Sequence, residues 1–229
     1  FTLERLQLVA AAASRELACR APLGLKSRKI VIGYDRRFLA LQFAEAVAFV
    51  VRGCDLEPLL TETSVPTPSC SWAVVHHQAL GALVITASHN PPEWLGLKIK
   101  GCLGSSVEDD FTKAVEERLK AGGLAMSINT STARFDARKE HLEGLRAKFD
   151  IPLIVKGLES MELTIIVDPM HGSAEGCVGE LVRQVGRALG ESPWAGDFEL
   201  LLVDDGSRDG TWTEVRRAAG GAGAPAWLR

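Results

Sequence analysis

The residues best suited to chemistry sit in the stretch Thr86-Ala87-Ser88-His89-Asn90-Pro91-Pro92, directly after the apolar run at 81–85. A serine beside a histidine, on a loop stiffened by two prolines, has two readings. One is a turn serine bonding its own backbone. The other is an activated hydroxyl, which needs a base, a charge or a metal nearby because serine alone is a weak nucleophile. Adjacent side chains often point apart, so His89 does not decide the matter. Lys98 lies on the next apolar-rich segment and can return to the same rim, where a cation suits an anionic group such as a phosphate on Ser88. The sequence is not G-x-S-x-G, which disfavours a hydrolase nucleophile elbow.

Positioning such a loop requires a sheet. Residues 29–35 and 81–86 are continuous apolar runs, and 56–61 and 97–100 read as shorter strands. Between them, 38–53, 68–80 and 106–122 read as helices, as does 3–17 with Thr2 as its N-cap. The alternation predicts an α/β fold with a mixed, mostly parallel sheet sandwiched by helices. Ligands in such sheets bind at the carboxyl ends of strands. Asp35 and Ser88 both fall just past a strand end, so they are expected to face one crevice. Residues 123–138 are polar and weakly patterned and read as a loop or linker. Residues 139–149 and 152–160 read as helical pieces, and 163–172 as a strand opening a partial second α/β unit. The expected domains are therefore 1–150 and 151–229.

The chain has 229 residues and a net charge of −3, which offers no basic face for nucleic acid. No run approaches the roughly 18 apolar residues of a membrane span, and the opening residues read as an amphipathic helix rather than as a signal peptide. The five cysteines (Cys19, Cys54, Cys70, Cys102, Cys177) form no C-x-x-C pair. They read as reduced thiols in a cytoplasmic protein. His76 and His77 are neighbours on a predicted helix, and neighbours do not share a helix face, which argues against a metal pair. His141 lies on another predicted helix, and His171 reads as a turn histidine. The chain begins without methionine, directly in a helix, which points to a fragment.

Four segments in order resemble the α-D-phosphohexomutases, the phosphoglucomutase/phosphomannomutase family. "TASHNPPEWLGLKIK" resembles the family's phosphoserine loop and "VIGYDRRFLA" its "GYDTR" segment. "SVPTPSCSWAV" resembles its "TPTP" segment, and "IIVDPMHGSAEG" the opening of its second domain. The resemblance covers about residues 1–176. It implies that Ser88 carries a phosphoryl group, passes it to a sugar monophosphate, and thereby moves phosphate between O1 and O6 of a hexose. It implies Mg²⁺ on the phosphoserine oxygen of Ser88, a hexose 1,6-bisphosphate as activator, and a small-molecule sugar phosphate as partner. Ser88, His89 and Lys98 are the catalytic candidates, with His89 either a general acid/base or a hydrogen-bond donor. Thr86 and Asn90 shape the loop. Arg37 either binds near the loop or forms a surface salt bridge with Asp35.

The resemblance has limits. A "FGTDGWRG"-like opening, a "DGDADR" metal loop and a "GEXSGH"-like sugar loop have no match. Leu95 stands where the family carries an asparagine. The expectation is a truncated, weakly active or inactive form. The tail offers an alternative: "VDDGSRDGT" resembles the nucleotide-binding segment of GT-A glycosyltransferases, with Asp204 and Asp205 at a strand end. On that reading the chain is chimeric from about residue 176 and binds a nucleotide sugar. A non-catalytic domain retaining only the fold is the remaining alternative.

Overall fold

The computed structural model describes residues 2–122, 132–158, 166–167, 172–173 and 201–202. The chain divides into two compact units, Phe1–His141 and Leu142–Arg229.

The first unit opens with helix α1, Leu3–Cys19, whose Thr2 cap accepts from the Arg5 amide at 3.3 Å. Strand β1 (Lys29–Tyr34), helix α2 (Ala40–Gly53), strand β2 (Glu57–Thr61), helix α3 (Thr67–His76) and strand β3 (Gly81–Ile85) follow. Strand β4 (Leu97–Lys100), helix α4 (Asp109–Ala121) and strand β5 (Ala133–Phe135) complete the series, and helix α5 (Ala137–Arg146) begins in this unit. The sheet runs β4-β3-β1-β2-β5. All pairings are parallel except that of β4 with β3. This is the mixed, mostly parallel sheet that the alternation predicts.

Alternate residues of each strand feed two cores, as the period of two demands. Ile30, Ile32, Leu83 and Ile85 face α1, α2 and α4, where Leu6, Ala10, Ala13, Val47, Val51 and Phe111 are buried with them. Val31, Ala82 and Val84 face the other way, onto Cys70, Ala73 and Val74 of α3. Burial of β1 and β3 on both faces explains why they read as continuous apolar runs.

Several boundaries differ from expectation. Residues 133–135 are not linker: β5 pairs in parallel with β2, Leu59 opposite Ala133 and Thr61 opposite Phe135. A three-residue edge strand with one buried side chain, Phe135, carries no periodic signal. Helix α3 stops at His76 rather than at 80. Gln78 adopts a left-handed φ of 50°, and the Ala79 amide turns back to the Val74 carbonyl at 2.8 Å. That is a helix stop made without glycine. His77 is thereby released from helical geometry, and its ring meets that of His76 edge-on at 5.1 Å. The two histidines do approach each other, contrary to the helix-face argument.

In the second unit, helix α6 spans Ile151–Leu158. Strands β6 (Ile166–Val167) and β7 (Leu201–Leu202) pair in parallel. Both fall in segments that read as strands. Among the described residues no helix is long and apolar enough to cross a membrane.

Candidate functional site

Strands β1 and β3 are sheet neighbours with Tyr34 opposite Ile85, so the chain leaves both at the same edge. The Asp35 amide donates to the Ile85 carbonyl at 3.1 Å. Asp35 and the Ser88 loop therefore share one rim, although 53 positions separate the aspartate from the serine in the sequence. The loop closes where the Thr86 amide donates to the Gly96 carbonyl at 3.0 Å. A Cβ at Gly96 would lie 3.1 Å from the Thr86 carbonyl oxygen, so the two ends of the loop meet backbone to backbone.

Within the loop, Thr86 is buried and its Oγ1 accepts from the Ser88 amide at 3.0 Å. The Asn90 amide and Nδ2 both donate to the Ala87 carbonyl, at 3.1 and 2.8 Å. The Trp94 amide donates to Pro91 at 3.0 Å. These local bonds bend the chain so that Ser88 takes φ 59°. A left-handed conformation costs a residue with a Cβ on the order of 1–2 kcal/mol and persists only where its surroundings enforce it. Ser88 and His89 are exposed, and Ser88 Oγ lies 3.4 Å from His89 Nδ1, the long limit of a hydrogen bond.

The enforcing group is Arg37. Its Nε donates to Asp35 Oδ2 at 3.1 Å. Nη1 donates to the carbonyls of Pro91 and Trp94, at 2.5 and 3.0 Å. Nη2 donates to those of Ser88 and Asn90, at 2.9 and 2.8 Å. A guanidinium has five N–H donors, and each has an acceptor here. Asp35 holds the fork in place, its Oδ1 also accepting from the Arg37 amide at 3.0 Å. The salt bridge with Asp35 and the attachment to the loop, two alternatives in the sequence, are both present. Arg37 has no donor left for a ligand, so its geometry is that of a loop support.

Lys98 lies on β4 opposite Val84, on the sheet face away from Leu97 and Ile99. It is half-buried, and its side chain makes no hydrogen bond or ion pair among the described residues. It is not bonded to Ser88. Leu95 is partly buried against the larger core, which accounts for an apolar residue at the position where the resemblance would place asparagine. Asp204, Asp205, His171 and Cys177 lie outside the described residues. The remaining cysteines are free thiols.

Two features of the site had no clear signal in the sequence. The four carbonyls that Arg37 gathers are backbone atoms, invisible to residue type. The ring of Trp94, whose carbonyl is one of the four, is 60% exposed, a feature that the composition did not flag.

Magnesium is a hard cation that takes oxygen ligands, commonly one or two carboxylates together with phosphate. At this rim the chain supplies Ser88 Oγ, while the neighbouring carboxylate, Asp35, is engaged by Arg37. The described residues do not by themselves make a magnesium site.

Residues 1–125 match the family model described as phosphoglucomutase/phosphomannomutase, alpha/beta/alpha domain I. A phosphoglucomutase of Staphylococcus epidermidis ATCC 12228 is 34% identical over 161 residues, 68% of this chain and 30% of the relative. A phosphoglucomutase of Staphylococcus aureus N315 is 27% identical over 189 residues, 81% of this chain and 33% of the relative. The crystal structure of a Thermus thermophilus protein assigned as a phosphomannomutase superposes with a TM-score of 0.68 at 30% identity. The match covers 89% of this chain and 42% of that one. The chain thus spans about a third of the length of the curated relatives it matches.

Proposed function

The chain belongs to the phosphoglucomutase/phosphomannomutase family, and from that premise we propose that Ser88 is its phosphoryl carrier. The reaction is transfer between Ser88 and the O1 or O6 oxygen of a hexose phosphate. In the first transfer the bond from Ser88 Oγ to phosphorus breaks and one from a sugar hydroxyl oxygen to phosphorus forms; in the second, the bond from the other sugar oxygen to phosphorus breaks and that from Ser88 Oγ to phosphorus forms again. The hydroxyl proton passes to a base, and His89, beside the serine, is the candidate to receive it. Lys98, a cation on the adjoining strand without a partner among the described residues, is the candidate to balance charge on the moving group.

The observation that carries this reading is the five-donor clamp of Arg37 on the Ser88 loop. Phosphoryl transfer relies on positioning and charge stabilisation more than on covalent work by the protein. A rigid loop presenting an exposed hydroxyl at the carboxyl edge of β1 and β3 meets the positioning demand. Charge stabilisation by Mg²⁺, on which the family generally depends, needs oxygen donors beyond those described, so no step is derived through the ion. A hexose 1,6-bisphosphate is the donor expected to load Ser88.

The test is an intact mass after incubation with Mg²⁺ and a hexose 1,6-bisphosphate, for the native chain and Ser88→Ala. Gain of one phosphoryl group on the native chain alone is expected. No gain, or equal gain on Ser88→Ala, would overturn the assignment of Ser88.

A further inference from the structure

At the carboxyl end of α3, on the side of the unit where β1 and β2 begin, His76, His77 and Glu140 bring three ligand atoms within 4.8 Å of one another. We propose that these residues form a binding site for a borderline divalent cation, with zinc the best chemical match. The proposal stands independently of the phosphoryl-transfer reading.

The site is built from the last residue of α3, the His77 that follows it, and α5. His77 Nε2 and Glu140 Oε2 are 2.8 Å apart across 63 residues of chain. Their side chains are only 20% and 26% exposed. The His77 ring is fixed further by the edge of Phe135, with centroids 5.1 Å apart and planes at 81°. His76, exposed, stands edge-on to His77 with centroids 5.1 Å apart. Two of the three donors are thus held by packing before any ion arrives, and the third is free to swing.

The donor set selects the ion. Two imidazoles and one carboxylate match the nitrogen and oxygen ligands of zinc, with water in the fourth position. Magnesium and calcium prefer more oxygen than one carboxylate supplies. A tetrahedral ion with bonds of about 2.0–2.1 Å holds its donors about 3.3 Å apart. His77 and Glu140 need open only slightly to reach that spacing, while the His76 ring closes inward. The ion takes the place of the hydrogen bond between His77 Nε2 and Glu140 Oε2. An ion held there joins the end of α3 to α5, so it binds the folded chain and not the unfolded one, and it raises the melting temperature.

The experiment is calorimetric titration of Zn²⁺ into the metal-stripped full chain, with thermal melts in parallel. The variants are His76→Ala, Glu140→Gln, Cys19→Ala and Ser88→Ala. His76 is exposed, so its replacement leaves folding intact. The expected result is one saturable site, at least about tenfold weaker in His76→Ala and Glu140→Gln. The rise in melting temperature disappears in those two variants and survives in Cys19→Ala and Ser88→Ala. Mg²⁺ at the same concentration gives no such rise. Absence of saturable binding, or equal affinity in His76→Ala, overturns the proposal and in the second case places zinc on other ligands.

Discussion

The guanidinium of Arg37 reaches across 51 residues of chain to the carbonyl of Ser88, at 2.9 Å. Three further loop carbonyls and the Asp35 carboxylate take its other donors. The loop therefore owes its form to one side chain from a different strand end as much as to its own prolines. Local bonds from Thr86 and Asn90 shape individual turns, but none of them ties the loop to β1.

Arg37→Lys tests this directly. Lysine keeps the charge but offers three donors from one point, so it cannot reach four carbonyls arranged around a planar fork. The expected loss of stability is about 1.5–3 kcal/mol, read from urea unfolding. Amide exchange across residues 86–96 should accelerate, and phosphoryl loading of Ser88 should fall. If exchange in the loop is unchanged, the prolines alone hold it and the clamp is incidental.

Gly33, in the Gly-Tyr-Asp segment, allows close packing of β1 on α3. A Cβ there would lie 2.2 Å from Cys70 Sγ, with Val65 Cγ2 next at 3.6 Å. Cys70 is fully buried, and burial pushes its thiol up to about 12, so it acts as an apolar filler and not as a nucleophile. Gly33→Ala should cost about 2–3 kcal/mol through overpacking. Cys70→Ala removes the clashing sulfur, so the double variant should recover about 1–2 kcal/mol relative to the sum of the two singles. A double-mutant cycle by chemical denaturation measures this, and strict additivity would mean that the strain sits in the backbone of β1 instead.

The sheet was legible in the sequence because β1 and β3 are buried on both faces and so read as unbroken apolar runs. The shared rim of Asp35 and Ser88 followed from the same reading. What escaped has physical reasons. Strand β5 buries Phe135 alone, while Arg134 turns outward to pair with Glu45 at 2.6 Å, so no alternation betrays it. The end of α3 rests on Gln78 in a conformation usually given to glycine, and so the contact between His76 and His77 was not foreseen. The clamp of Arg37 works on carbonyl oxygens, which no residue code reports.

Glu16 illustrates a buried charge that the fold must satisfy, and it carries a prediction in pH. It lies on α1 with a side chain only 7% exposed, bonded to Arg20 Nε at 2.6 Å and to Arg118 Nε of α4 at 2.7 Å. Arg20 continues the network to Asp110 at 2.5 Å and lies 5.2 Å from the centre of the Phe111 ring. Burial raises the Glu16 carboxyl, but hydrogen bonds from Arg118 and Arg20 outweigh it, and the net position is below the usual carboxylate range. A carboxyl whose folded value is depressed contributes stability that is full above its unfolded value, roughly 4.3, and is lost as pH falls through the folded value. Glu16→Gln keeps the shape but leaves two guanidinium groups facing a neutral amide, one of whose atoms is itself a donor. The variant should lose about 2–4 kcal/mol at pH 7. The gap between native and variant should hold steady from pH 8 to about 5 and narrow below that, as protonation of Glu16 makes the native chain resemble the variant. Urea unfolding at a series of pH values gives the curve. A gap that stays constant down to pH 3 would show that Glu16 matters to the α1–α4 packing through its shape, with its charge contributing nothing.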